Sequence, residues 1–262
     1  VFSSEIAEAS NSQKAINDRD LKANNPEQKN LQRLLEVGDP PIYMEIKRGS
    51  NVLLGKKGLE DWQKIKNEQL GQLVLAVLLQ KPGTARSQKG SIWSNKTTYS
   101  AIFRNKNRAR ETLVDLLKLS SMYKNWLDKR SRLEDEEHHA ADNGKFFVLA
   151  VIGFLIAFTR GQVSKDPLSW QSELSNNEIK GKFLRDDYNS DALDSLFNLI
   201  VTHLNQQYVN NIKNFSAFAN VTKLDSNYFD LILKSIERTY FRSDFDFSQI
   251  KERLEPVFIL RE

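Results

Sequence analysis

Phe146–Phe158 reads FFVLAVIGFLIAF, thirteen residues without one polar side chain. A bilayer span needs roughly 20 such residues, so the run is too short to cross a membrane. Glu134, Asp135, Glu136 and Glu137 precede it and Arg160 follows it. Asp142-Asn143-Gly144 supplies a break just before it. The stretch therefore predicts a core helix over residues 145–160, apolar on every side because other helices surround it. A protein built around such a helix is mainly α-helical.

The flanking sequence agrees. Upstream, residues 109–133 place Leu113, Leu116, Leu117 and Trp126 at helical spacing. Leu59–Lys81 keeps a three-to-four residue period through Trp62, Ile65, Leu70, Leu73, Val74 and Val77, and Pro82-Gly83 ends it. Asn25-Pro26 begins a helix that runs to about Val37, with Asn25 as the cap. Between these, Ile42–Lys47 alternates apolar and polar residues and is followed by turn residues and Val52-Leu53-Leu54, which predicts one small β-hairpin near 42–54. Downstream, helices are expected at 191–213, 227–242 and 248–254, and the polar stretch 161–187 reads as a loop or insertion. No stretch resembles a flexible linker, so residues 1–262 are expected to form a single multi-helix domain.

Composition narrows the function. The 262 residues include no cysteine, which excludes disulfides, thiolate metal sites and a cysteine nucleophile. Val1–Gln13 has two glutamates and no basic residue, unlike a secretory signal, and a cytoplasmic location is expected, with no membrane partner. The chain begins at Val1 rather than Met, the expectation being a trimmed product. Hydrolytic triads find no support, since GxSxG is absent and only His138, His139 and His203 are available. No GxxxxGK[ST] occurs, and HExxH is missing too; His138 and His139 are adjacent and would point about 100° apart on a helix. No cofactor or metal is expected.

Two constellations remain. Glu45-Ile46-Lys47 matches the ExK part of metal-dependent nucleases, in which carboxylates hold Mg²⁺ and a lysine stands near the attacked phosphate. Side chains two apart share one strand face, but the acid that should come upstream is only Asp39 or Asp20. The second is charge. From Lys81 to Arg110 there are eight basic residues and no acidic one, interleaved with Trp93, Tyr99 and Phe103. Cations neutralise phosphates and aromatic faces stack unpaired bases, although the apolar spacing here favours buried rings. Lys47, Arg48, Arg86, Lys89, Arg104, Lys106 and Arg108 are the candidate nucleic-acid contacts, for DNA or RNA.

The first 103 residues also carry a family pattern. Ala9-Ser10-Asn11-Ser12-Gln13, Asp18-Arg19-Asp20-Leu21, Asn24 and Gln28 come first. Tyr43 and Lys47-Arg48-Gly49 follow, then Pro82, Ala85-Arg86, Trp93 and Tyr99-Ser100-Ala101-Ile102-Phe103. In order and spacing this resembles the AIPR family, the abortive-infection phage-resistance proteins of bacteria. Residues 110–262 match no pattern of that kind. The resemblance implies a role in phage defence without fixing a chemistry. It also implies that a substantial upstream region, nuclease-like in some members, lies outside this chain. Asn11, Gln13, Asp20, Lys47 and Arg48 are the positions carried over. Side chains of these types bind a nucleic-acid backbone, or cap helices and tie the hairpin to the core. The expectation is a binding or scaffold module, with a phage or host protein as the other class of partner. The alternative is a nuclease using Glu45 and Lys47.

Overall fold

The computed structural model describes residues 18–47, 58–105, 108–130, 141–162, 179–211 and 248–260. In chain order these form α1 (Asp18–Lys22), α2 (Pro26–Val37), β1 (Tyr43–Glu45), a 3₁₀ turn (Asp61–Gln63), β2 (Lys64–Lys66) and α3 (Asn67–Leu73). A π-helical turn (Val74–Leu78) continues α3 and is followed by three short helices, α4 (Pro82–Ser87), α5 (Ser91–Ser94) and α6 (Lys96–Phe103). The longer helices are α7 (Arg110–Arg130), α8 (Lys145–Thr159) and α9 (Ser190–Asn211), with α10 (Ser248–Leu254) at the end. The protein is mainly α-helical.

The apolar run is the central helix. Every residue of α8 from Phe147 to Ala157 is buried, because the π-turn, α4, α7 and α9 all pack on it. No helix among the described residues is long and apolar enough to cross a membrane. The buried apolar side chains form one cluster reaching from Leu35 to Leu260.

Two expectations change. The helix expected over Leu59–Lys81 starts only at Asn67. Lys64–Lys66 is instead a strand paired in parallel with Tyr43–Glu45, in the register Tyr43 to Lys64, Met44 to Ile65 and Glu45 to Lys66. The reason is local. The Gln63 side chain donates to the Pro41 carbonyl at 2.9 Å and its Oε1 accepts the Glu60 amide at 3.0 Å, which holds 60–63 in a tight turn beside β1. Lys-Ile-Lys is itself a period-two pattern. The other change concerns Asn25. It occupies the cap position of α2, but its side chain makes no capping bond and donates instead to the Tyr99 hydroxyl at 3.4 Å.

The second strand expected at 52–54, the helix expected at 227–242 and residues 163–178 of the expected loop lie outside the described residues. The described remainder of that loop is irregular but anchored: Ile179, Phe183 and Leu184 are buried. Leu184 forms a single antiparallel bridge with Phe258.

Candidate functional site

The basic segment folds as three short helices because Pro82, Gly90 and Asn95 punctuate it. Pro82 takes the first turn of α4, where a missing amide costs nothing, and the Asn95 side chain accepts the Thr98 amide at 3.0 Å to start α6. The aromatic residues go inward. Trp93, Tyr99 and Phe103 are 3%, 2% and 7% exposed. Trp93 stacks on Phe103 at 5.4 Å between ring centres, and Tyr99 stands 5.0 Å from Phe103. Rings used this way offer no face to a nucleic-acid base, so the segment lacks the stacking platform that the interleaving allowed.

The cations divide by type. The described arginines are engaged with the protein. Arg86 donates to the Asn143 side chain at 3.1 Å. Arg104 forms a 2.7 Å ion pair with Glu27 and lies 5.9 Å from the Tyr99 ring centre; the Lys22 ammonium is 4.2 Å from the same ring. Arg108 donates to the carbonyls of Ala101, at 2.9 Å, and Ile102, and so closes the C-terminal end of α6. Arg110 reaches the carbonyls of Leu35 and Asp39, at 3.3 and 3.2 Å, and that of Pro40. Lys47, Lys81, Lys89 and Lys96 are exposed, with Lys89 3.9 Å from Glu68. Arg48 and Lys106 lie outside the described residues. Arg104 and Arg108 also line an open groove of about 550 Å³ between α2 and α6, with Leu31, Leu34 and Phe103.

Glu45 and Lys47 part company. Glu45 is 9% exposed, whereas Lys47 is in solvent. Among the described residues no group of three or more His, Asp or Glu stands close enough to hold a metal ion. His138 and His139 lie outside them, and His203 is buried, which holds its pKa below the usual histidine value.

Next to Lys47 is a buried polar junction. The Arg19 Nε donates to Asn67 Oδ1 at 2.7 Å. The Asn67 amide donates in turn to Gln28 Oε1 and to the Ile46 carbonyl, both at 3.1 Å. Gln32 donates to the Met44 carbonyl at 2.7 Å. Arg19, Gln28 and Asn67 are all buried. Four segments, α1, α2, the end of β1 and the start of α3, thus meet through one asparagine. Arg19 and Gln28 belong to the family pattern; Asn67 was not singled out in the sequence, because nothing local distinguishes it. Asn11, Gln13 and Arg48 lie outside the described residues, and Asp20 is half-buried in α1.

No curated protein and no solved structure matches the chain. A family model described as "AIPR protein" matches residues 1–230. It extends well past residue 103, where the pattern legible in the sequence stops, and takes in α7, α8 and α9. This membership supports a part in abortive infection against phage: the chain belongs to the AIPR family.

Proposed function

We propose that this chain serves phage defence as a binding module that contacts the phosphate backbone of nucleic acid. The observation that carries the reading is the sorting of the basic segment: Lys81, Lys89 and Lys96 are exposed while Trp93, Tyr99 and Phe103 are buried. Ammonium groups without stacking rings bind phosphates and read little sequence. Affinity is then similar for oligonucleotides of equal length and falls with salt, with a slope of about −0.7 to −0.9 per phosphate contacted.

Fluorescence anisotropy with labelled single- and double-stranded oligonucleotides tests this. The Lys81→Glu/Lys89→Glu/Lys96→Glu variant should lose most binding with its helical spectrum intact. Arg108 is left in place, because reversing it would undo the end of α6. Binding by the folded triple variant as tight as the parent's would remove the proposal. Adding Mg²⁺ or Mn²⁺ to the same mixtures addresses the nuclease alternative directly, through cleavage sensitive to Lys47→Ala.

A second reading, a module that binds protein, is favoured by Leu21, Leu34 and Val37. These three apolar side chains of α1 and α2 are 66%, 46% and 79% exposed. Light scattering of the parent and of a Leu34→Lys/Val37→Lys variant would detect self-association through that face.

A further inference from the structure

A cavity of about 380 Å³ lies between β2, α7 and the start of α8, away from the basic segment. Lys64, Lys124 and Lys145 line it, each from a different element, and they are joined by the hydroxyls of Ser120 and Ser121. Among the described residues the only carboxylate in the lining is Asp61, itself exposed and 3.8 Å from Lys124. Lys64 and Lys145 are half-buried and Lys124 is exposed. Burial pushes the Lys145 pKa below the usual lysine value, the charge of Lys124 pushes the same way, and Asp142 opposes both. It is also the first residue of α8, a helix of 15 residues, where the helix dipole disfavours a cation. Gathering ammonium groups at such a place works against folding unless an anion answers them.

The remaining wall combines Trp62 and Phe146 with Gln69, Gln72 and the aliphatic Ile65, Leu73 and Leu117. Trp62 lines this cavity and also a neighbouring one of about 280 Å³. Its indole N–H donates to Glu60 at 2.8 Å, which fixes the ring, and the Lys118 ammonium lies 5.1 Å from the ring centre. Cations, hydroxyl donors and a held aromatic ring in one concave space of this size fit a phosphorylated molecule that carries a flat ring.

We propose that this cavity binds a nucleotide, its phosphates held by Lys64, Lys124 and Lys145 and its base laid against Trp62. The site is separate from the nucleic-acid surface suggested above, and the two are tested by different variants.

Isothermal titration of the 262-residue chain with ATP, GTP and inorganic triphosphate decides the matter. The expected result is saturable binding of a nucleotide at one site per chain. Lys124→Glu, on an exposed stem, and Lys145→Met, which only removes a desolvated charge, should each weaken it by about tenfold or more. Trp62→Leu should weaken the nucleotide by about tenfold while sparing triphosphate, since stacking acts on the base alone. The Lys81→Glu/Lys89→Glu/Lys96→Glu variant should bind the nucleotide as the parent does, so a failure of the surface reading leaves this one standing. Three results overturn it: no saturable binding of either nucleotide, equal binding by folded Lys124→Glu and Lys145→Met, or a Trp62→Leu variant that binds nucleotide unchanged.

Discussion

Asp115 is 2% exposed, and its Oδ2 accepts the amides of Phe183 and Leu184 at 2.7 and 2.8 Å. A carboxylate is thus placed inside α7 to hold the segment that follows Gly181, and the Thr112 hydroxyl adds a bond to the Gly181 carbonyl at 2.8 Å. Asp115→Ala leaves two buried amides unpaired, at about 1–3 kcal/mol each. Asp115→Asn keeps an acceptor oxygen and should cost clearly less; urea unfolding of the two variants gives the order. Burial pushes the Asp115 pKa up, against the pull of the two amides and of Lys118 and Lys182. A folded value above the unfolded one means that the native state holds more protons between the two values. Stability then falls as the pH rises through that window, and Asp115→Asn should flatten this part of the profile. The same scale explains why the candidate site was only half legible. Sequence counts Arg108 as one more cation among eight. Only the fold shows the carbonyls of Ala101 and Ile102 already claiming its guanidinium. Lysines cannot make that planar fork, and they are the cations left in solvent.

At the crossing of α8 and the π-turn, Gly153 allows the two backbones to touch. A Cβ there would lie 2.7 Å from Val77 Cγ1 and 2.8 Å from the Val77 carbonyl oxygen. Backbone cannot swing aside as a side chain can, so Gly153→Ala should destabilise by about 1–3 kcal/mol despite the better helix propensity of alanine. Thermal unfolding followed by circular dichroism reads this out; a variant as stable as the parent would mean the crossing is looser than it looks. The buried Gln80 locks the same crossing. It adopts φ 53°, and its amide donates to the carbonyls of Val77 at 2.6 Å and Ala150 at 3.0 Å. None of this was readable beforehand. Apolar spacing locates the helices at 26–37 and 110–130 because burial on a helix face leaves a periodic trace, whereas the helix at 145–159 is located by the length of its unbroken apolar run. Spacing misplaces Lys64–Lys66, where Trp62 and Ile65 continue the helical period by coincidence while β1, some twenty residues upstream, supplies the partner. Nor does it see the π-turn, because Val74–Leu78 is buried on every side and carries no periodicity to distort.

Over the whole molecule, elements distant in sequence close one core. Lys64, Lys124 and Lys145 become neighbours only in this way, which is why no local motif announced them. The family match ends at residue 230, yet Leu254, Val257, Phe258 and Leu260 are buried in the same cluster as α8. The Arg160 guanidinium bonds the carbonyls of Lys180, Lys182 and Ile259, at 2.8, 2.8 and 2.7 Å, and the Ile259 amide donates to Phe183 at 2.9 Å. If residues 1–262 behave as a single domain, damage at this end must be felt by the other. Phe258 is 1% exposed, and Phe258→Ala should cost about 3–5 kcal/mol, a large share of the roughly 5–15 kcal/mol that holds an ordinary domain together. Three of the four tryptophans, Trp62, Trp93 and Trp126, lie in the first half of the chain and report on it once Trp170 is replaced by Phe, and far-UV ellipticity reports on all helices. In urea both signals should shift to a lower midpoint together, as one cooperative transition requires. A tryptophan transition that stays at the parent's midpoint while part of the ellipticity is lost earlier would divide the chain into two units, with the 254–260 segment belonging to the weaker one.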